Sequence, residues 1–138
     1  MTNFPAGKAD LRLLLDTHAL LWWLAGDLSL SAAARAAIGD ETNSVSVRAA
    51  SAWEIATKHR IGKLPSVTAI LVDLPAVLAD QGFTELPITV RHGQAAGNLP
   101  GSHRDPFDRM LIAQAMIEDL ILVSNERIFD NYAVRRFW

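Results

Sequence analysis

The stretch Leu-Leu-Leu-Asp-Thr-His at residues 13–18 decides the fold class of this chain. The leucine-rich run from Leu11 to Leu15 predicts a buried strand that ends at Asp16. A helix is predicted to follow from Thr17 to Ala25 and to stop at Gly26. A strand followed at once by a helix indicates an α/β protein if the same alternation continues along the chain.

The alternation does continue, because short apolar segments and helical patterns follow one another to the C-terminus. We predict strands over 43–47, 83–86, 121–124 and 134–138, and helices over 31–39, 49–61, 67–79, 89–97 and 106–118. Pro75 should kink or split the helix over 67–79. The sequence therefore predicts an α/β fold with a central, mainly parallel sheet of about five strands.

The composition is that of one globular domain over residues 1–138. Half of the 138 residues are hydrophobic and 20% are charged, which is enough apolar material for one core. We expect residues 1–10 to be a flexible or loosely attached segment without the pattern of a signal peptide. No apolar run approaches the roughly 18 residues that span a membrane, so no membrane association is expected.

The chain has no cysteine and a formal net charge of −2. The absence of cysteine excludes disulfides and thiolate zinc sites, and it fits a reducing cytoplasm. A simple nucleic-acid binder is usually basic, so the net charge counts mildly against nucleic acid. That objection weakens if several carboxylates are gathered in one metal pocket, because the rest of the surface can then carry a basic face.

Acidic side chains stand near the ends of the predicted elements, where open α/β sheets form their sites. Asp16 closes the first strand, Asp105 and Asp108 begin the helix over 106–118, Glu126 follows the last clear strand, and Glu54 lies two turns into its helix. Converging carboxylates suit Mg²⁺ or Mn²⁺. Such a site would activate a water and neutralise charge on a scissile phosphate.

Each acid also has a purely structural interpretation. Asp16 and Asp105 are good N-cap residues for the helices that follow them. Glu54 stands four residues before Lys58, the favourable order for a helical ion pair. Glu126 would suit the first turn of a short helix. The sequence contains no HExxH pair, Walker A motif or glycine-rich dinucleotide motif, so the acids remain the one predicted chemistry.

Basic residues flank these acids. Arg48 and Lys58 fall on or beside the helix over 49–61, and Arg104 and Arg109 flank the turn over 105–108. A solvated surface is the ordinary interpretation of such residues, but beside an acidic pocket they are placed to hold phosphates on either side of a cut. Trp53, next to Glu54, is interpreted as a core residue.

Four stretches, taken together, resemble the PIN-domain family, and most closely the VapC toxins of bacterial toxin–antitoxin pairs. The matching segments are residues 13–23, 50–64, 103–115 and 122–130. The last of them reads Leu-Val-Ser-Asn-Glu-Arg-Ile-Phe-Asp. Their order and spacing fit the family from about residue 11 to the C-terminus, and the combination is specific although each piece alone is weak.

The resemblance implies a PIN-like, Rossmann-like three-layer sandwich and an endoribonuclease that depends on Mg²⁺ or Mn²⁺. By the family pattern Asp16, Glu54 and Asp108 are the metal carboxylates. Asp105 is an additional acid of the subgroup. Glu126 occupies a position where the family usually has aspartate in Thr-x-Asp, so we expect it to contact metal through a water.

The resemblance also implies a mechanism and partners. In-line hydrolysis of RNA would proceed without a covalent enzyme intermediate, and Thr17 and Ser124 would help through hydroxyl hydrogen bonds. A cognate antitoxin would cover the site, and a homodimer is expected.

Three other functional classes compete with this interpretation. An inactive PIN-like module that binds RNA or protein remains the alternative, on the ground of Glu126. A receiver-like phosphoacceptor domain fits poorly, because Leu15 precedes Asp16 where a second acid is needed. A haloacid-dehalogenase-type phosphatase is rejected because position 18 is histidine.

Overall fold

The computed structural model describes residues 10–64 and 73–138. Strands and helices alternate along these ranges. In chain order they are β1 (Arg12–Leu15), α1 (Thr17–Ala25), α2 (Ala32–Gly39), β2 (Ser44–Arg48), α3 (Ala49–Arg60), α4 (Leu74–Asp80), β3 (Thr84–Leu86), α5 (Val90–Asn98), α6 (Pro106–Glu118), β4 (Ile121–Val123), a 3-10 helix (Arg127–Asn131) and β5 (Arg136–Phe137).

The sheet has five strands in the order β3-β2-β1-β4-β5, and every neighbouring pair is parallel. Strand β1 lies in the middle, with Leu15 opposite Val47 of β2 on one side and Val123 of β4 on the other. The predicted α/β fold with a mainly parallel sheet of about five strands is thus confirmed, and the pairing is parallel throughout.

Alternate residues of the central strands bury on opposite faces of the sheet. Leu13 and Leu15 belong to one apolar cluster, which includes residues of α1 to α4. Leu14 belongs to a second cluster with Leu111 and Ile112 of α6. Helices therefore cover both faces, and the result is the predicted three-layer sandwich with β1 buried at its centre.

Local signals set the helix ends that matter for the site. Asp16 begins α1 as its N-cap and accepts from the Ala19 amide at 2.7 Å, and Gly26 ends the helix in the left-handed region with φ of 65°. Asp105 begins α6 by accepting from the amides of Phe107 and Asp108 at 2.9 and 3.3 Å. These caps satisfy amides that have no partner inside the helix.

The predicted element bounds lie close to those observed, with one correction. The part of the predicted helix over 67–79 that the structure describes begins at Leu74, and Pro75 lies in its first turn, where its missing N–H costs nothing. The interpretation of Trp53 as a core residue is wrong. Trp53 is 66% exposed on the outer face of α3, whereas Ile55 of the same helix is buried. The predictions for residues 1–9 and 65–72 fall outside the described residues.

Within residues 10–64 and 73–138, no helix is long and apolar enough to cross a membrane.

Candidate active site

The candidate site lies at the carboxyl edge of the sheet, where β1 and β4 are neighbours. The chain runs outward from β1 through β2 to β3 and then returns to β4 on the other side. In open α/β sheets, ligands bind at the point where the direction of the strand order reverses. The Asp16 amide donates to the Val123 carbonyl at 3.1 Å, so the residues that follow β1 and β4, Asp16 and Ser124, begin side by side.

Asp16 is almost enclosed, with 6% of the residue exposed. Burial raises the pKa of its carboxyl, although hydrogen bonds from Ser124 and from the Ala19 amide act in the opposite direction. The charged form of this side chain is therefore stabilised less by the fold than it is by water. A carboxylate kept at such a position disfavours folding unless a cation reaches it.

Glu54 enters the site from α3. Its Oε1 accepts from the Thr17 hydroxyl at 2.8 Å, and its Oε2 lies 2.9 Å from Lys58 Nζ. Burial alone would raise the pKa of Glu54, but the hydrogen bonds from Lys58 and Thr17 lower it overall. The predicted pair of Glu54 with Lys58 is present, and the same carboxylate also faces the residue next to Asp16.

Asp108 lies in the first turn of α6. Its Oδ2 is 2.7 Å from His103 Nε2, so the imidazole holds one carboxylate oxygen. Asp105 is exposed and caps the helix, as the structural interpretation of this residue predicts. The helix N-terminus also places partial positive charge beside Asp108.

Glu126 follows β4, and its side chain is 41% exposed. Its pKa is raised by partial burial and then by the negative charges of Asp108 and Asp16. The Glu126 amide donates to the Ser124 hydroxyl at 3.1 Å, which fixes the backbone where the side chain departs. These electrostatic effects show that Glu126, Asp16 and Asp108 share one region.

We call Asp16, Glu54, Asp108 and Glu126 the acidic cluster. Among the residues that the structure describes, no three Asp, Glu or His side chains are close enough together to enclose a metal ion. Glu54 and Asp108 are instead held by the neighbours named above. The donor set nevertheless suits a hard divalent cation, since it consists of carboxylate oxygens. Burial first, and then the charges of Asp108 and Asp16, raise the pKa of Glu126.

The side chain of Arg48, which was expected to contact phosphate, is instead buried inside the protein. Only 2% of it is exposed, Nη1 donates to the Phe107 carbonyl at 2.6 Å, and Nη2 lies 3.9 Å from Glu54 Oε1. Burial lowers the pKa of Arg48, while Glu54 and Asp108 are the leading charges that raise it. A side chain so enclosed acts as an internal counter-charge to the acids and ties α6 to β2.

Arg109 also has a different place from the one expected. Its guanidinium donates to the carbonyls of Ala96 and His103 at 3.1 and 2.9 Å and to the carbonyl of Leu99. These contacts hold the loop that precedes α6. Arg104 is exposed, as a phosphate contact would require.

Two further side chains join the site without a specific sequence signal. Ser51 is fully buried and lies 3.0 Å from the Thr17 hydroxyl and 3.3 Å from Arg48 Nε. Ser51 lies one turn before Glu54 on α3, and this spacing is the one sequence feature that indicates a place near the site. His103 precedes Arg104 in the sequence, and its contact with Asp108 depends on how the loop folds back.

Comparison with known proteins agrees with this architecture. No curated protein matches the sequence. Among solved structures the chain is similar to a chain in the crystal structure of VapBC2 from Rickettsia felis bound to a DNA fragment from their promoter. The two share 13% identity over 92% of this chain and 98% of that chain, with a TM-score of 0.61, which shows a common fold. A family model described as PIN domain matches residues 13–135. The protein therefore belongs to the PIN domain family.

Proposed function

We propose that this protein is a metal-dependent endoribonuclease and the toxin of a VapC-type toxin–antitoxin pair. The observation that carries the proposal is the meeting of the ends of β1 and β4 at the reversal point of the sheet, where Glu54 accepts from Thr17 and the Glu126 amide donates to Ser124. Membership in the PIN family and the fold shared with a VapBC2 chain support it. The reaction is hydrolysis of an RNA phosphodiester bond.

Asp16, Glu54 and Asp108 would hold Mg²⁺ or Mn²⁺, with Glu126 joined through a water and Asp105 at the margin. The ion would neutralise charge on the phosphate and lower the pKa of the attacking water. Binding requires Glu54 and Asp108 to turn from their present partners. Hydrogen bonds from Thr17, Lys58 and His103 hold these carboxylates, and a bound cation would take the place of those partners.

The other residues of the site position the acids. Thr17 orients Glu54, Ser124 fixes the backbone at Glu126, and Arg48 fixes the start of α6. Glu126 is the best candidate to accept the proton of the attacking water, because its pKa is raised and its carboxylate is partly exposed.

A cognate antitoxin is the proposed protein partner. Trp53 and Phe107 place their rings 5.3 Å apart beside the acids, and Trp53 is 66% exposed, which offers an apolar contact surface. An antitoxin segment that carries arginine would complement the acidic cluster. We also propose that the protein forms a homodimer. A cytoplasmic location is proposed because the sequence contains no cysteine.

The test is cleavage of a mixture of structured RNAs by purified, antitoxin-free protein with Mg²⁺ or Mn²⁺. EDTA and an Asp16→Asn variant are the controls, and both should abolish cleavage. The asparagine keeps the helix cap and removes only the charge.

The second candidate is a PIN-like module that binds RNA or protein without cleaving it. It is favoured by a different observation, that among the described residues no three acids or histidines enclose a metal position. RNA binding that persists while no RNA class is cleaved would select this function. Restoration of cleavage by Glu126→Asp would then identify the longer side chain as the cause.

A further inference from the structure

A cavity of about 500 Å³ opens beside the acidic cluster, between the loop before α6 and the 3-10 helix with Tyr132. This volume lies within the range of about 300–1,000 Å³ that is typical of small-molecule sites. His103 lines the cavity and also lies 2.7 Å from Asp108. His103 therefore connects the cavity to Asp108 of the acidic cluster.

The walls of the cavity are fixed by packing. Arg109 holds the loop through carbonyls on both sides of it, including that of His103 at 2.9 Å. Gly101 has φ of +95°, and a Cβ added there would lie 3.0 Å from the Tyr132 hydroxyl. The loop backbone thus packs closely against the Tyr132 side chain, and the positive φ of Gly101 favours glycine at this position.

Several of the side chains that line the cavity are polar and lack a hydrogen-bond partner among the described residues. The side chains of Ser102, Arg104, Asn131 and Tyr132 all line the cavity. Within residues 10–64 and 73–138, these side chains make no hydrogen bond or ion pair to one another or to any other residue. An exposed cation, an exposed amide and a half-buried aromatic ring therefore line the cavity beside the acids.

We propose that this cavity is a nucleotide subsite, which takes the base and phosphate of one unpaired nucleotide next to the bond that is cleaved. The proposal rests on the proposed RNA-cleaving function. The Tyr132 ring offers a surface on which a base stacks, the Asn131 amide hydrogen-bonds a base edge, and Arg104 contacts the phosphate. Recognition of unpaired bases commonly uses this combination of groups.

The direct test is NMR titration of the ¹⁵N-labelled protein in EDTA with AMP, CMP, GMP and UMP, and separately with inorganic phosphate. At least one mononucleotide should shift the amides of residues 101–104 and 131–132 more strongly than phosphate does. The double variant Arg104→Gln with Asn131→Ala should bind about tenfold more weakly. The control Arg91→Gln removes the same charge from the surface of α5 and should bind as the wild type does. Equal shifts with phosphate alone would overturn the base-binding role.

Cleavage separates this inference from the function on which it rests. Asn131→Ala should raise KM, leave kcat unchanged and relax the preference at one nucleotide beside the cut in an RNA library. Cleavage with unchanged KM and preference would overturn the subsite and leave the nuclease intact. Mononucleotide binding in a protein that cleaves no RNA would support the site and overturn the proposed function.

Discussion

Replacing Arg48 by methionine should lower the free energy of unfolding of the metal-free protein by about 3 kcal/mol. The methionine fills similar space, so beside a longer contact to the Ser51 hydroxyl at 3.3 Å the loss comes from two electrostatic contacts of a side chain that is 2% exposed. One is the charge-assisted hydrogen bond to the Phe107 carbonyl at 2.6 Å, and the other is the approach to Glu54 at 3.9 Å. Removing Arg48 leaves the partly buried Phe107 carbonyl without its donor and takes away one of the positive charges that face Glu54.

Lys58→Met is the matched control, because Lys58 pairs with the same carboxylate. Its Nζ lies closer to Glu54, at 2.9 Å, but the side chain is 37% exposed. Water screens this pair, so its loss should lower the free energy of unfolding by only about 0.5 kcal/mol. The comparison therefore varies burial while the acid stays the same.

The assay is urea unfolding in EDTA at neutral pH, followed by tryptophan fluorescence and by thermal melts. We expect Tm to fall by about 10 °C for Arg48→Met and by about 2 °C for Lys58→Met. Equal losses, or a loss below about 1 kcal/mol at Arg48, would refute its role as the buried counter-charge of the acidic cluster.

Three further predictions concern the acids. Asp16→Asn should raise the stability of the metal-free protein at neutral pH by about 1 kcal/mol, because burial raises the pKa of Asp16 and the fold disfavours its charge. Thermal melts across pH should show this advantage growing as pH rises above 3.8 and vanishing below it, and a constant advantage would contradict the reasoning. Glu54→Gln should lower the free energy of unfolding by about 1–2 kcal/mol at neutral pH. Since the pKa of Glu54 is lowered, that deficit should shrink as pH falls below 4.5, and a deficit independent of pH would count against the Lys58 and Thr17 contacts. Mg²⁺ at a hundred times its Kd should stabilise the wild type by about 2.7 kcal/mol, and Glu126→Gln should weaken Mg²⁺ affinity about 10- to 100-fold if its contact runs through water. An unchanged affinity would remove Glu126 from the site.

Features set by local sequence were predictable. The strand that ends at Asp16, the caps at Asp16 and Asp105, and the glycine at the end of α1 each depend on a few neighbouring residues. The parallel sheet followed from the alternation of elements, because parallel strands need crossover connections.

Features set by packing between distant segments were not predictable. Arg48 is buried only because the start of α6 covers the end of β2, and the separation from Phe107 in sequence hides that contact. Trp53 is instructive in another way. Ser51 and Ile55 define the buried face of α3 by helical spacing, and Trp53 lies opposite them, so periodicity indicated exposure where side-chain hydrophobicity suggested a core position.

The binding of Mn²⁺ to the acidic cluster, measured by isothermal titration calorimetry, tests the central claim most directly. The wild type should bind Mn²⁺, whereas Asp16→Asn and Asp108→Asn should lose most of the affinity. Asp80→Asn, which removes an exposed acid at the end of α4, should bind as the wild type does. Equal binding by all the variants, or no binding in a protein that still cleaves RNA in EDTA, would contradict the claim that the acidic cluster is the metal centre.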